Sequence, residues 1–589
     1  MFRIQKRISG PLQEKWFQPL IRSRKISSLQ KNTDWKNLSE FMPLKDTTNN
    51  MDTALPSPNP PYLSTNEGGK RKYFIETYGC QMNFNDTEVV MSILNGSNQY
   101  ERTTVEEDAN IILLMTCAIR EHAEAKIWSR LDSLRGLERR KRGNLTVGVL
   151  GCMAERLKKE LIERKRNVDI VCGPDAYRDL PRLLDGNPGD SPSDNRMINV
   201  ILSADETYAD VTPVRLDPKK KAAYVSIMRG CNNMCAFCIV PFTRCFYDLE
   251  RRSYYNFCRG RERSRPIASI IEEVKRLSEE GVKEITLLGQ NVNSYLDNSV
   301  STVLPLEEIP ERALANVMSK GFKTIYKPKV GGRKFVDLLQ KVSDINPEMR
   351  IRFTSPHPKD FPDDLLLLMQ ERPNICKQIH LPVQSGSNFV LERMNRGYTR
   401  EVYLELVQRI RCILPSVSFS SDFIVGFCGE TEADHELSLR LFDEVGYDMA
   451  YMFAYSMREK TMAHRRYEDN VPKEVKQRRL REMADKFYSL QIGLASRMVG
   501  RSELVLVEGP SKKSPSDLVG RSDGGRIIVF PETKLKDPIS QSFREPLPGD
   551  YVEVLIDSVK GATPVGKAIV FSAISSFKSK TSNIGHGNT

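Results

Sequence analysis

Four apolar, strand-like runs in this chain lead directly into cysteines: Tyr73–Thr77 into Cys80, Ile111–Met115 into Cys117, Val147–Leu150 into Cys152, and Ala223–Met228 into Cys231. Helix-like stretches follow the first three. Alternating strand and helix patterns predict a parallel sheet. In such a sheet the carboxyl ends of the strands share one edge, and ligands bind there. The thiols of Cys80, Cys117 and Cys152 are therefore expected to converge although long stretches of chain separate them. One such cysteine alone reads as a buried core residue; three in the same strand-end position read as a three-thiol site.

The fourth run opens a denser motif, Arg229-Gly-Cys231-Asn-Asn-Met-Cys235-Ala-Phe-Cys238. This C-x3-C-x2-C spacing can hold three corners of an iron–sulfur cube and leaves one iron without a protein thiolate. A fully ligated cube relays electrons, whereas an open iron can also bind the amino and carboxylate groups of a substrate and pass an electron into it. Three core thiols or a zinc knuckle are the alternatives. The knuckle needs a fourth Cys or His, for which Cys245 and Cys258 are the nearby residues.

Ala223–Met228 is also the first of six strand-like segments, followed by Glu284–Leu288, Met349–Phe353, Gln378–Leu381, Ser418–Val425 and Met449–Tyr455. Amphipathic helical segments separate most of them, so the pattern predicts an incomplete, open-sided barrel. The Cys231–Cys238 loop then lies at the carboxyl end of a strand, where barrel active sites sit. Loops after the later strands carry Gln290, Asn291, Thr354, Ser355, Gln384, Ser385 and the segment Asp422–Gly426. Thr431 is expected to cap a helix with Asp434 at its third position, and His380, on an apolar strand, reads as packed rather than catalytic.

The ends of the chain differ in character. Met1–Thr33 holds eight Lys or Arg against the single acid Glu14 and so supplies more than half of the chain's net charge of +12. That composition matches a mitochondrial transit peptide, and it leaves overall charge a weak argument for nucleic-acid binding. Asp46–Lys70 reads as a linker, and Gly186–Asp194 marks a second break that continues as a strand-poor connector towards Lys219. Beyond Gln491, short alternating runs at Glu503–Val507, Arg526–Phe530 and Tyr551–Ile556 predict a small antiparallel barrel. Lys512, Lys513, Arg521, Arg526 and Arg544 could meet phosphates there, although acids are about as numerous. Twelve cysteines without a signal peptide suit a reducing compartment. No apolar run approaches the roughly 18 residues of a membrane helix.

From about Lys72 to its end the chain resembles the MiaB-type methylthiotransferases, radical S-adenosylmethionine (SAM) enzymes, and most closely their animal mitochondrial members. The resemblance is carried by TYGCQMN, the motifs around Cys117 and Cys152, RGCNNMCAFCIVPFTR, GRERSRP, LLGQNVNSY, RFTSPHP, HLPVQSGS and DFIVGFCGETEAD. It implies an α/β architecture: an N-terminal parallel α/β cluster domain (71–188), a linker (189–218), a partial (β/α)6 radical-SAM barrel (219–490) and a C-terminal RNA-binding TRAM β-barrel (491–575). Residues 1–70 would be transit peptide and disordered linker, and 576–589 a disordered tail. It further implies two 4Fe–4S clusters, one on Cys80, Cys117 and Cys152 and one on Cys231, Cys235 and Cys238. SAM contacts are expected from Gln290, Asn291, Ser355, Gln384 and Asp422. The implied reaction adds a methylthio group to N6-isopentenyladenosine in the anticodon stem-loop of mitochondrial tRNA. An electron donor such as a ferredoxin and a sulfur donor are implied as partners, and no membrane. Relatives with the same clusters act on threonylcarbamoyladenosine or on an aspartate of a ribosomal protein, and a non-catalytic RNA- or protein-binding regulator is the remaining alternative.

The chain departs from that pattern twice. Cys245–Arg259 interrupts the direct join of PFTR to GRERSR, beside the expected SAM-binding loop, and is expected to impair activity if translated. Asp297–Gly332 extends a later loop.

Overall fold

The computed structural model describes residues 69–119, 121–140, 144–186, 197–203, 206–244, 262–299, 321–322 and 331–578. The transit peptide and nearly all of the first linker lie outside these residues, as do Cys245–Arg259 and most of Asp297–Gly332. The latter insertion is closed at its base by a short antiparallel pair, Leu296–Asp297 with Arg333–Lys334.

Six parallel strands form the first sheet: β1 (Arg71–Thr77), β2 (Tyr100–Arg102), β3 (Ile111–Thr116), β4 (Thr146–Gly151), β5 (Ile170–Cys172) and β6 (Met197–Asn199), in the order β2-β1-β3-β4-β5-β6. The central strand β3 is buried throughout because both faces are covered. Ile111, Leu113 and Met115 pack into one core and Ile112 and Leu114 into the other, as an unbroken apolar run in a parallel sheet requires. Strand β6 is a correction to the expected connector at 189–218. Tyr208 of that connector is also buried, donating from its hydroxyl to the carbonyl of Pro174 at 3.1 Å, so residues after the break complete the first domain's core.

The second layer holds all six predicted strands: β7 (Ala222–Ser226), β8 (Glu284–Leu288), β9 (Arg350–Phe353), β10 (Gln378–His380), β11 (Ser418–Val425) and β12 (Met449–Ala454). They form two parallel three-stranded sheets, β9-β8-β7 and β10-β11-β12. A parallel bridge between Ile351 and Ile375 joins the two. Among the described residues β7 and β12 do not pair, so the barrel stays open on that side. The core between its strands and the surrounding helices runs from Val225 and Ile285 through Ile351 to Phe419 and Phe423, the last of these packed against Phe442.

The C-terminal strands β13 (Ser502–Pro510), β14 (Asp517–Arg521), β15 (Ile527–Pro531), β16 (Tyr551–Lys560) and β17 (Thr563–Phe571) close into a barrel of order β13-β14-β15-β17-β16. It is not wholly antiparallel as expected: β15 and β17 meet in parallel through Val529 and Val565. An odd number of strands cannot alternate in direction all the way round, so one seam must be parallel. This barrel docks on the amino-terminal ends of the larger barrel's strands. Arg350 donates to the carbonyls of Arg521 and Leu504, both at 2.6 Å. Arg526 pairs with Asp448 at 2.7 Å, and the Tyr551 hydroxyl reaches the Lys283 carbonyl at 3.0 Å. Residues 574–578 are helical, with Ile574 buried against Leu504, Leu506 and Tyr551, so order extends past the expected start of the tail at 576. No helix among the described residues is long and apolar enough to cross a membrane.

Candidate active site

The first three cysteines reach one edge because β1, β3 and β4 lie side by side in parallel register, Thr77 opposite Met115 and Thr116 opposite Gly151. Cys80 stands as the N-cap of α1 (Gln81–Gly96), and Cys152 begins the short helix α2 (Cys152–Leu157). Glycine is required beside two of them. Gly79 has φ +116°, and a Cβ there would stand 2.5 Å from the Cβ of Cys117; Gly151 has φ +91°, and a Cβ there would meet the Thr116 carbonyl oxygen at 2.8 Å.

The second triad hangs from the end of β7 on a loop held mainly by main-chain groups. Ala236 donates from its amide to the Met394 carbonyl at 2.8 Å and accepts there from the Ala463 amide at 2.8 Å. The Asn395 side chain donates to the Met234 carbonyl at 2.7 Å. The Asn232 amide donates to Glu262 at 3.0 Å.

All six thiols line one cavity of about 1320 Å³ between the first sheet and the mouth of the open barrel. Among the described residues no three His, Cys, Asp or Glu side chains converge on a single ion-sized point. An iron–sulfur cube asks for something else. Each thiolate ligates its own iron, so the three must border a common space, and the cysteines of both triads do. The zinc alternative's extra ligands, Cys245 and Cys258, lie outside the described residues.

Two arginines that the sequence reading left without a role point at these sulfurs. Arg244 Nε donates to Cys152 Sγ at 3.0 Å, and Arg396 Nη1 donates to Cys235 Sγ at 3.1 Å. Both arginines are almost fully buried. The Cys80 thiol is drawn down to about 6 by its hydrogen bond with Cys117, against the effect of burial. The Cys117 thiol moves up through the same bond and its burial, and burial pushes Cys152 and Cys231 up.

Of the five expected SAM contacts, Gln290, Ser355, Gln384 and Asp422 line the cavity and Asn291 does not. The Asn291 amide instead donates to Asp360 at 2.9 Å and accepts from the His357 amide at 3.0 Å, tying two loops together. Gln290 Oε1 is buried without a hydrogen-bond donor among the described residues. Ser355 and Gln384 take left-handed backbone, φ +58° and +74°, a conformation that for residues with a Cβ gathers at functional sites. His380 also borders the cavity. Ser420 lies 3.0 Å from its Nδ1 and Asp422 3.4 Å from its Nε2, so it is hydrogen-bonded as expected yet faces the site. His357, another lining residue, is held well below its usual value by burial. Thr431 caps its helix reciprocally with Asp434, as predicted.

Residues 72–173 match the family described as "Uncharacterized protein family UPF0004", 225–442 the "Radical SAM superfamily" and 496–569 the "TRAM domain". The chain is 52% identical over 530 residues to the "Mitochondrial tRNA methylthiotransferase CDK5RAP1" of Homo sapiens, covering 87% of this chain and 84% of that one. It is 45% identical over 500 residues to a "tRNA-2-methylthio-N(6)-dimethylallyladenosine synthase" of Chloroherpeton thalassium, covering 85% and 96%. Among solved structures, the radical S-adenosylmethionine methyltransferase TsrM from Kitasatospora setae aligns with a TM-score of 0.43 at 12% identity, over 77% of this chain and 82% of that one. With close sequence relatives over most of its length and a matching arrangement of three domains, the chain belongs to the radical SAM tRNA methylthiotransferase family.

Proposed function

We infer that this chain adds a methylthio group to C2 of N6-isopentenyladenosine next to the anticodon of mitochondrial tRNAs. The observation that carries the reading is the single cavity bordered by both cysteine triads together with Gln290, Ser355, Gln384 and Asp422. Two sites on one space suit a reaction that needs a radical at one place and a sulfur unit at another. The C2–H bond of adenine has no usable acidity at neutral pH and carries no leaving group, so acid–base or displacement chemistry does not reach it. When bound, a 4Fe–4S cluster on Cys231, Cys235 and Cys238 supplies the electron for reductive SAM cleavage, and a second on Cys80, Cys117 and Cys152 holds the sulfur for transfer.

The chain's own side chains bind and orient around those sites. Gln290 Oε1 offers an unmatched acceptor to the ammonium or an N–H of SAM, and Asp422 offers a carboxylate to its ribose hydroxyls. Ile424, Met452 and Phe453 line the same space and exclude water. His357 stays neutral at physiological pH because burial disfavours its charged form. The C-terminal barrel supplies contacts to the tRNA backbone, a ferredoxin-type protein supplies the electron, and a separate donor renews the sulfur. The basic amino-terminal segment and the word "mitochondrial" in the names of close relatives support that compartment. The bacterial relatives' name, with dimethylallyladenosine in it, favours the isopentenyl nucleoside over threonylcarbamoyladenosine.

The test is nucleoside mass spectrometry of isopentenyladenosine-containing tRNA after anaerobic incubation with reconstituted protein, sulfide, reductant and SAM. Methylthiolated nucleoside is expected from the wild type and none from Cys235→Ala. SAM cleavage without methylthiolation would mean that the substrate is wrong.

A further inference from the structure

Arg244 belongs by sequence to the loop of the second triad, six residues after Cys238, yet its guanidinium is spent on the first. Its Nε donates to Cys152 Sγ at 3.0 Å, and its Nη2 pairs with Asp86 of α1 at 2.5 Å. Its carbonyl accepts from Arg263 at 3.1 Å, and its Nη1 is buried without a protein acceptor among the described residues. The apolar groups around it repeat the pattern. Ile239 and Phe242, from the second triad's segment, pack against Ala118 and Cys152 from the first.

The charges explain why the sulfur matters. Asp86 is fully buried and divided between two guanidiniums, Arg244 and Arg229, the latter at 2.9 Å. Neither cation is therefore matched by Asp86 alone. Arg229 has Glu206 as its second anion, at 3.7 Å. For Arg244 the remaining partners are the neutral Oδ1 of Asn83, at a long 3.5 Å, and Cys152 Sγ at 3.0 Å.

We propose that Arg244 is a positioning residue for the Cys80, Cys117 and Cys152 site, supplied from the other triad's loop. It holds the Cys152 thiolate in place and raises the reduction potential of the iron–sulfur centre bound there. The inference rests on the cluster reading given above. A buried cation that donates N–H to a ligating sulfur offsets the negative charge that reduction adds, and hydrogen bonds to the sulfurs, net charge and exposure are the levers that set such potentials. A consequence is that the first domain's site is electrostatically complete only with the second triad's loop docked on it.

The test uses the full chain with Cys231, Cys235 and Cys238 all changed to Ala, so that only the first triad can load. The protein is reconstituted anaerobically with iron and sulfide, its iron content is measured, and its midpoint potential is followed by electron paramagnetic resonance during a dithionite titration. Arg244→Gln is expected to lower the potential while iron is retained, and Arg244→Lys, which keeps the charge, to restore most of the difference. If Arg244→Gln does not fold, Asp86→Asn carries the test, because it leaves more of the guanidinium's charge to the sulfur and should move the potential the opposite way. Unchanged potentials in the folded variants overturn the proposal. Failure of the Arg244-containing protein to bind any iron overturns the cluster reading, and the proposal with it.

Discussion

A methyl group on Gly79 would collide with the Cβ of Cys117, and its φ of +116° already excludes most side chains. Gly79→Ala is thus expected to push Cys117 out of place and, on the proposed pair of four-iron sites, to lower iron per reconstituted chain to roughly half. Iron analysis beside a Cys235→Ala control checks this, and full iron content in Gly79→Ala would count against the first triad as a ligand set. At this scale the six cysteines were legible because four follow an apolar strand within two or three residues and Cys235 and Cys238 complete the C-x3-C-x2-C spacing begun by Cys231. Arg244 and Arg396 were not, because their sulfur partners lie 92 and 161 residues away in sequence. Arg244 closes the PFTR motif, which was its only sequence signal, and Arg396 lies outside the motifs that carried the resemblance. Asn291 shows the converse: its neighbour Gln290 lines the cavity, while one step along the loop the side chain turns towards Asp360.

Basic residues of the C-terminal barrel divide by what already holds them. Arg521 pairs with Glu508, Arg526 with Asp448, and Arg544 with Asp537 and Asp550. Lys512 and Lys513 are exposed and have no ion-pair partner among the described residues. Changing both lysines to Glu should weaken tRNA binding and lower the salt-dependence slope of the affinity by about 1.4–1.8, at roughly 0.7–0.9 per phosphate contact. Filter binding across a salt series measures it, and an unchanged slope would remove these two from the interface. Arg526→Gln, by contrast, should act mainly on docking against the larger barrel. Sequence showed three of this barrel's five strands, the ones with clean alternation. Asp517–Arg521 and Thr563–Phe571 escaped because Gly520 and the Pro564 to Gly566 stretch dilute their apolar pattern, and they gain their strand character from neighbours on both sides.

Across the whole molecule, the seam between the two barrels makes stability depend on pH. Glu503 faces the interface near Asp523 and Arg350, and burial raises its carboxyl to about 7 from an ordinary 4.5. A carboxyl raised in the folded state stabilises fully below about pH 4.5, and this contribution is lost as pH climbs through 7. Melting temperature should therefore fall between about pH 4.5 and 7, and Glu503→Gln should remove part of that fall, on the order of 1–3 kcal/mol; parallel curves for the two proteins would exclude Glu503 as a source. The Cys245–Arg259 run yields a second prediction at this scale. Its flanks are pinned side by side, with Arg263 bonded both to the Arg244 carbonyl and to Asp175 at 2.8 Å. Deleting it to join Arg244 to Gly260 should leave stability unchanged and raise methylthiolation, and equal activity of both forms would refute an inhibitory run. By itself the sequence determined the six strands of the open barrel, the division into three folded parts and which six thiols border the cavity, since these follow from local periodicity and from motifs. Only the tertiary structure decided that both triads border one cavity, that the connector's Met197–Asn199 extends the first sheet, and that an arginine from one triad's loop serves a sulfur of the other. Those are contacts between distant segments, and they form only when burial forces buried charges to find partners wherever the packed chain offers them.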